Sequence, residues 1–193
     1  MNKLALPSLI AAVVMFLWGT VFWMSPLPYS ATVPLDNQAA MQQQVSDTFK
    51  QSGTYIFPSM MQEGVDQDKV MAMYEQGPNL IAHVMPGRKA FDPNVFLKGF
   101  VHYFVVAFIL GWLFLQVFSS KESFRQKFDV VSKLAFVFVV FTHGSELIWW
   151  GLPAGWTLWT AFYEFIALVL AGTVLAKMLK FEDGDSQTEP ESD

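Results

Sequence analysis

Four side chains stand where ionisable groups are scarce: His102, His143, Glu146 and Glu164. Glu164 falls inside residues 154–176, an apolar run of 23 residues with no other charged side chain. His102 lies in a second apolar run, residues 99–118, and His143 and Glu146 in a third, residues 130–150. A charged group inside a membrane span is costly, turns to the bundle interior, and is a functional-site candidate by default. Glu146 follows His143 by three residues, so on a helix the two share one face.

Three chemistries fit these residue types. Imidazole nitrogen and carboxylate oxygen suit zinc, manganese or iron, and bundle cores build such sites from facing helices. Against this, His143-x-x-Glu146 reverses the Glu-x-x-His order of di-iron bundles and occurs once. Second, His102 and His143 can be read as axial ligands of a b-type haem, with Phe100, Tyr103, Phe104, Phe138 and Phe141 as aromatic walls. Third, glutamate and histidine inside a membrane can form a proton relay, including one beside a quinone. The structural alternative is a hydrogen-bonded plug that fixes helix register.

Depth makes the group more than a list. At ~1.5 Å of rise per residue, His102 and His143 sit roughly 10 Å below one end of their helices, and Glu164 about 13 Å below. Three antiparallel helices thus bring polar groups to one level, where Tyr103, Thr142, Ser145 and Tyr163 add hydroxyls.

The elements that must hold them read as membrane spans. The chain is 53% hydrophobic and only 15% charged, against roughly 25% charged in soluble domains. Four stretches reach the length for a transmembrane helix: residues 1–24, 95–118, 130–150 and 154–177. The fold class expected is therefore membrane all-α, a four-helix transmembrane bundle. The run in residues 4–24 is too long and, with Trp18 and Trp23, too bulky for a cleaved leader, so it reads as an anchor.

Residues 25–94, between spans 1 and 2, read as a small α+β insert outside the cytoplasm. Helices are expected over 35–51, capped by Asp36, and over 66–76, with strands over 54–57 and 80–85. His83 falls on the second strand, where a solvent-facing role is expected. The last stretch, residues 181–193, reads as a disordered acidic tail: six of the seventeen acidic residues lie in 182–193. Lys3, the group Lys121, Arg125, Lys127 and Lys133, and the pair Lys177 and Lys180 all flank one side of the spans. The positive-inside rule makes that side cytoplasmic, with both termini there. Trp23, Trp149, Trp150, Trp156 and Trp159 then form the opposite aromatic belt. Ala167-x-x-x-Ala171 and Gly172-x-x-x-Ala176 allow close helix approach. There are no cysteines, which removes disulfide and thiolate chemistry. No basic recognition face is visible, so nucleic acid is not an expected partner.

Phe16-Leu17-Trp18-Gly19, Gly53-Thr54-Tyr55-Ile56-Phe57-Pro58, Tyr74-Glu75-Gln76-Gly77-Pro78 and the Trp149…Leu152-Pro153 exit carry a resemblance. The chain resembles a group of small, uncharacterised bacterial inner-membrane proteins with one span, an extracytoplasmic insert and three further spans. The resemblance implies a bacterial inner-membrane location and the same layout, and carries no activity. The expected function is a non-enzymatic accessory or assembly protein of the cell envelope, partnered by the bilayer and by a membrane protein or a second copy. The alternative is a metal- or haem-dependent membrane oxidoreductase using His102, His143 and Glu164.

Overall fold

The computed structural model describes residues 3–181, so the acidic stretch 182–193 lies outside the described residues. The chain is mostly helical. In order come α1 (Ala5–Met24), a short 3-10 turn (Pro28–Ala31), α2 (Gln38–Thr48), β1 (Gly53–Phe57), α3 (Gln67–Gln76), β2 (Leu80–Val84), α4 (Pro93–Val117), α5 (Phe124–Trp149) and α6 (Ala154–Met178). Among these, α1, α4, α5 and α6 are long and apolar enough to cross a membrane. The chain divides into two compact units, residues 33–91 and the remainder.

Within the smaller unit, β1 and β2 form an antiparallel pair with Tyr55 opposite Ala82. Thr54 lies opposite His83, and their Oγ1 and Nδ1 atoms are 3.0 Å apart on the exposed face. The first helix is shorter than the expected 35–51. Asn37, not Asp36, caps it, because the Asn37 side chain accepts the Ala40 N–H at 2.9 Å. Phe49 then turns extended and ends it. Asp66 caps α3 as the sequence suggests, accepting from the N–H groups of Asp68 and Lys69. Only Pro58 and Val70 are buried in this unit.

In the larger unit α6 is the hub: α1, α4 and α5 all pack on it, and α1 also packs on α4. On α5 the buried positions are Lys127, Val131, Ala135, Val139 and His143, one every four residues. That period draws one narrow stripe along the helix. It meets α6 at Gly172. The other buried residues of α6 include Ala167, Ala171, Leu175, which reaches Gly111 of α4, and Ala176. Both small-residue motifs of α6 are therefore spent inside the unit. At Gly172 a Cβ would stand 2.3 Å from Val131 Cγ1, so the backbones approach as only glycine permits.

Two helix starts fall earlier than expected. Asp92 caps α4 and accepts the Asn94 N–H, with Pro93 in the first turn, where a missing N–H costs nothing. Ser123 and Gln126 form a capping box on α5, six residues before the apolar run begins. Arg125 and Lys127, which the sequence places ahead of the third span, therefore lie on α5 with Lys133. Lys127 is buried, with Nζ 3.6 Å from the Phe181 ring centroid. A positive charge over an aromatic face is attracted by the ring quadrupole.

Candidate functional site

The structure joins three of the four candidate residues directly. His143, on the buried stripe of α5, has both ring nitrogens engaged. Its Nδ1 lies 2.7 Å from Glu146 Oε2, one helical turn on, and its Nε2 lies 3.1 Å from Glu164 Oε2 on α6. The histidine side chain is only 7% exposed, whereas Glu146 and Glu164 are 34% and 36% exposed. A buried imidazole thus bridges two carboxyl groups that each reach an open surface.

Proton counting follows from the geometry. Two hydrogen bonds need two bridging protons among three groups. Either both ring nitrogens are protonated and both glutamates ionised, or the ring holds one proton and one glutamate the other. Each arrangement carries one net negative charge, and the two differ by a proton shift along one hydrogen bond.

His102 is placed differently. It is exposed on α4 and joins none of the cluster's hydrogen bonds, and its ring lies 5.6 Å from that of Tyr103. It does share the lining of one cavity with Glu164. The common level read from the sequence therefore brings all four side chains to one region, but only three into contact.

Next to the charged group lies a second polar contact. The hydroxyls of Tyr103 on α4 and Tyr163 on α6 form a short hydrogen bond. The Trp18 indole of α1 donates to the Tyr163 carbonyl at 3.0 Å. Gly19 leaves the space: a Cβ there would meet both tyrosine hydroxyls at 3.1 Å. Aromatic rings close the same end of the unit, with Trp23 5.9 Å from Trp156 and 5.3 Å from Tyr163. The sequence listed both tyrosines as nearby hydroxyls, but their pairing and the role of Gly19 had no linear signal.

The arrangement bears on metal and haem binding. Because the two carboxylates address opposite sides of one imidazole, they diverge from any common centre. Among the described residues no three histidine or acidic side chains converge in a way that could hold a metal ion. Ligation of iron by His143 would require one of its two bonds to break. As arranged, the residues do not form a ready-made three-ligand metal site among those described.

Comparison with protein-family models, curated proteins and solved structures finds no match.

Proposed function

We propose that this chain is a four-span integral membrane protein of the bacterial inner membrane, with both termini cytoplasmic and residues 25–94 outside. We propose further that it is a non-enzymatic accessory or assembly protein of the envelope. Its Glu146–His143–Glu164 cluster fastens α5 to α6 in the outer half of the bilayer and holds an exchangeable proton.

One observation carries the reading of the cluster. Both carboxylates are spent on the same buried imidazole, an arrangement suited to holding two helices in register and not to attacking a substrate. In a bilayer, polar side chains bonded across helices act as glue, worth about 0.6–2 kcal/mol each. The membrane placement is supported by four helices of sufficient length and apolarity. The orientation is supported by an excess of basic residues at one set of helix ends, seven against Arg88, Lys89 and Lys98 near the other.

The test uses the absence of native cysteine. Single cysteines at positions 62, 122 and 185 are labelled in intact cells with a membrane-impermeant maleimide. Only position 62 is expected to react before lysis; reaction at 122 or 185 overturns the orientation. The full chain, purified in mild detergent, is expected to be colourless in both oxidised and reduced forms. A Soret band or a stoichiometric metal, lost in His143→Ala, would overturn the non-enzymatic reading in favour of the oxidoreductase.

A further inference from the structure

Between α4 and α5 the larger unit is not closed. Two cavities lie end to end along α4, sharing Val106, Phe138 and Leu168 as walls. One is between α4 and α5; the other, continuous with it, is between α4 and α6, with Phe138 as its one α5 wall. The one nearer the α4 C-terminal end has a volume of about 380 Å³ and is entirely apolar, lined by side chains such as Ile109, Leu113, Leu134 and Ala135. The other, about 350 Å³, carries His102, Tyr103, Tyr163 and Glu164. Either volume lies within the roughly 300–1,000 Å³ of small-molecule sites. The result is an amphipathic slot, greasy along most of its length and hydrogen-bonding at one end.

The polar end narrows the occupant. No lysine or arginine lines either cavity, and a phosphate head group would meet the Glu164 carboxylate without a compensating cation. A cationic head would have to compete with His143, which already holds Glu164. An uncharged head with both accepting and donating oxygens suits the residues present. The Tyr103–Tyr163 hydroxyl pair keeps one O–H that is not used between them, so that hydroxyl and His102 can donate, and Glu164 and His102 can accept.

We propose that the slot along α4 is a lateral binding site for a prenylquinone, its ring against His102, Tyr103 and Glu164 and its isoprenoid tail in the apolar half. A quinone presents carbonyl acceptors and its quinol presents hydroxyl donors, and the slot has partners for both. The proposal concerns binding, with no electron transfer. It rests on the membrane reading above, since the tail must enter sideways from a bilayer, and it goes beyond that reading by naming a ligand. It does not depend on what the cluster does for helix pairing.

The experiment uses the full chain reconstituted in phosphatidylcholine nanodiscs. The probe is a quinone bearing two isoprene units, with binding followed by quenching of tryptophan fluorescence. A chain that fails to enter nanodiscs overturns the membrane reading before any ligand is added. Saturable one-to-one binding is expected. Leu168→Trp, which fills the shared waist, should weaken it about tenfold or more. His102→Leu, at an exposed position that should not disturb folding, should weaken it about fivefold, the worth of one hydrogen bond. Non-saturable uptake overturns the proposal. So does equal affinity in His102→Leu, or equal competition by a prenyl chain without the ring or by phosphatidylglycerol. Those outcomes would make the slot a seat for ordinary lipid tails. If Leu168→Trp elutes as aggregate, the His102→Leu comparison decides alone.

Discussion

α5 has two neighbours and treats them in opposite ways. Toward α6 it is closed: small residues interlock, Val131 sits against Gly172, and His143 reaches across to Glu164. Toward α4 it stands apart, leaving a cleft walled by Val106, Leu110, Leu134 and Phe138. Both seams are apolar over most of their length, so hydrophobicity does not distinguish them. Side-chain size and one polar bond do. On the membrane reading proposed above, no water drives the helices together, and association rests on close packing and interhelical hydrogen bonds. The α5–α6 seam has both. The α4–α5 seam has neither: an open cleft separates the two helices, and Tyr103 of α4 pairs with Tyr163 of α6 instead.

The contrast is broken most sharply by adding bulk to each seam in turn. Gly172→Val would place a Cβ and two methyls where Val131 already lies. Overpacking costs about 1–3 kcal/mol, and the upper end is expected because the conflict involves Val131 Cβ as well as its methyl groups. Leu134→Phe adds comparable bulk to the wall of the cleft and should change stability by less than about 0.5 kcal/mol. Thermal unfolding of the two proteins in one detergent makes the comparison. Equal losses would mean that the cleft is as tightly filled as the seam.

Removing the polar bond is the next effect in size. His143→Ala takes away the partner of both Glu146 and Glu164. Each carboxylate is more than a third exposed in side-chain terms or close to it, so solvent at their edges offsets much of the loss. A destabilisation of roughly 1 kcal/mol is expected, below that of Gly172→Val. A double-mutant cycle with Glu164→Gln should return a coupling of about 0.5–1 kcal/mol. A coupling of zero would show that the 3.1 Å contact does not join the helices energetically.

How much of this was legible in the sequence depends on the scale of the signal. Four apolar stretches of about span length announce four long helices whatever surrounds them, and the insert's two strands and second helix follow from local turn and cap residues. That His143 and Glu164 share one level along their helices was readable too, since rise per residue is fixed. Rotation was not. Which face of α4 carries His102, and that it lies apart from His143, depends on how four helices pack. No period in the sequence states that, because α4 is apolar nearly all round. Lys127 illustrates the same limit. In sequence it stands ahead of the third span, yet the Ser123 capping box starts α5 early enough to carry it onto the buried stripe. The capping box was present in the sequence, but the apolar run beginning six residues later was the stronger signal.

The smallest expected effect concerns what sets the width of the cleft at its apolar end. There α4 and α5 are joined by a short turn, and Glu122 fastens it. Its Oε2 accepts the Ser119 N–H at 2.6 Å and the Ser119 hydroxyl at 2.9 Å. The backbone N–H, and after it the hydroxyl, hold the Glu122 carboxyl below its ordinary value of 4.5. A carboxyl lowered in the folded state contributes stability that is fully present above its unfolded value and lost as pH falls through the folded one. The turn should therefore be intact at neutral pH and loosen only below about pH 4.5. Glu122→Gln is expected to mimic the acid form at every pH, lowering thermal stability slightly at pH 7 and removing this part of its decline in acid. A spin-label pair placed on the exposed faces of α4 and α5 would read the consequence. Its distance distribution should broaden in Glu122→Gln at pH 7 as it does in the parent once acid has protonated the Glu122 carboxyl, while a pair across α5 and α6 stays narrow in both. Broadening of the α5–α6 pair instead would mean that the closed seam depends on the turn, and that the two sides of α5 are not independent.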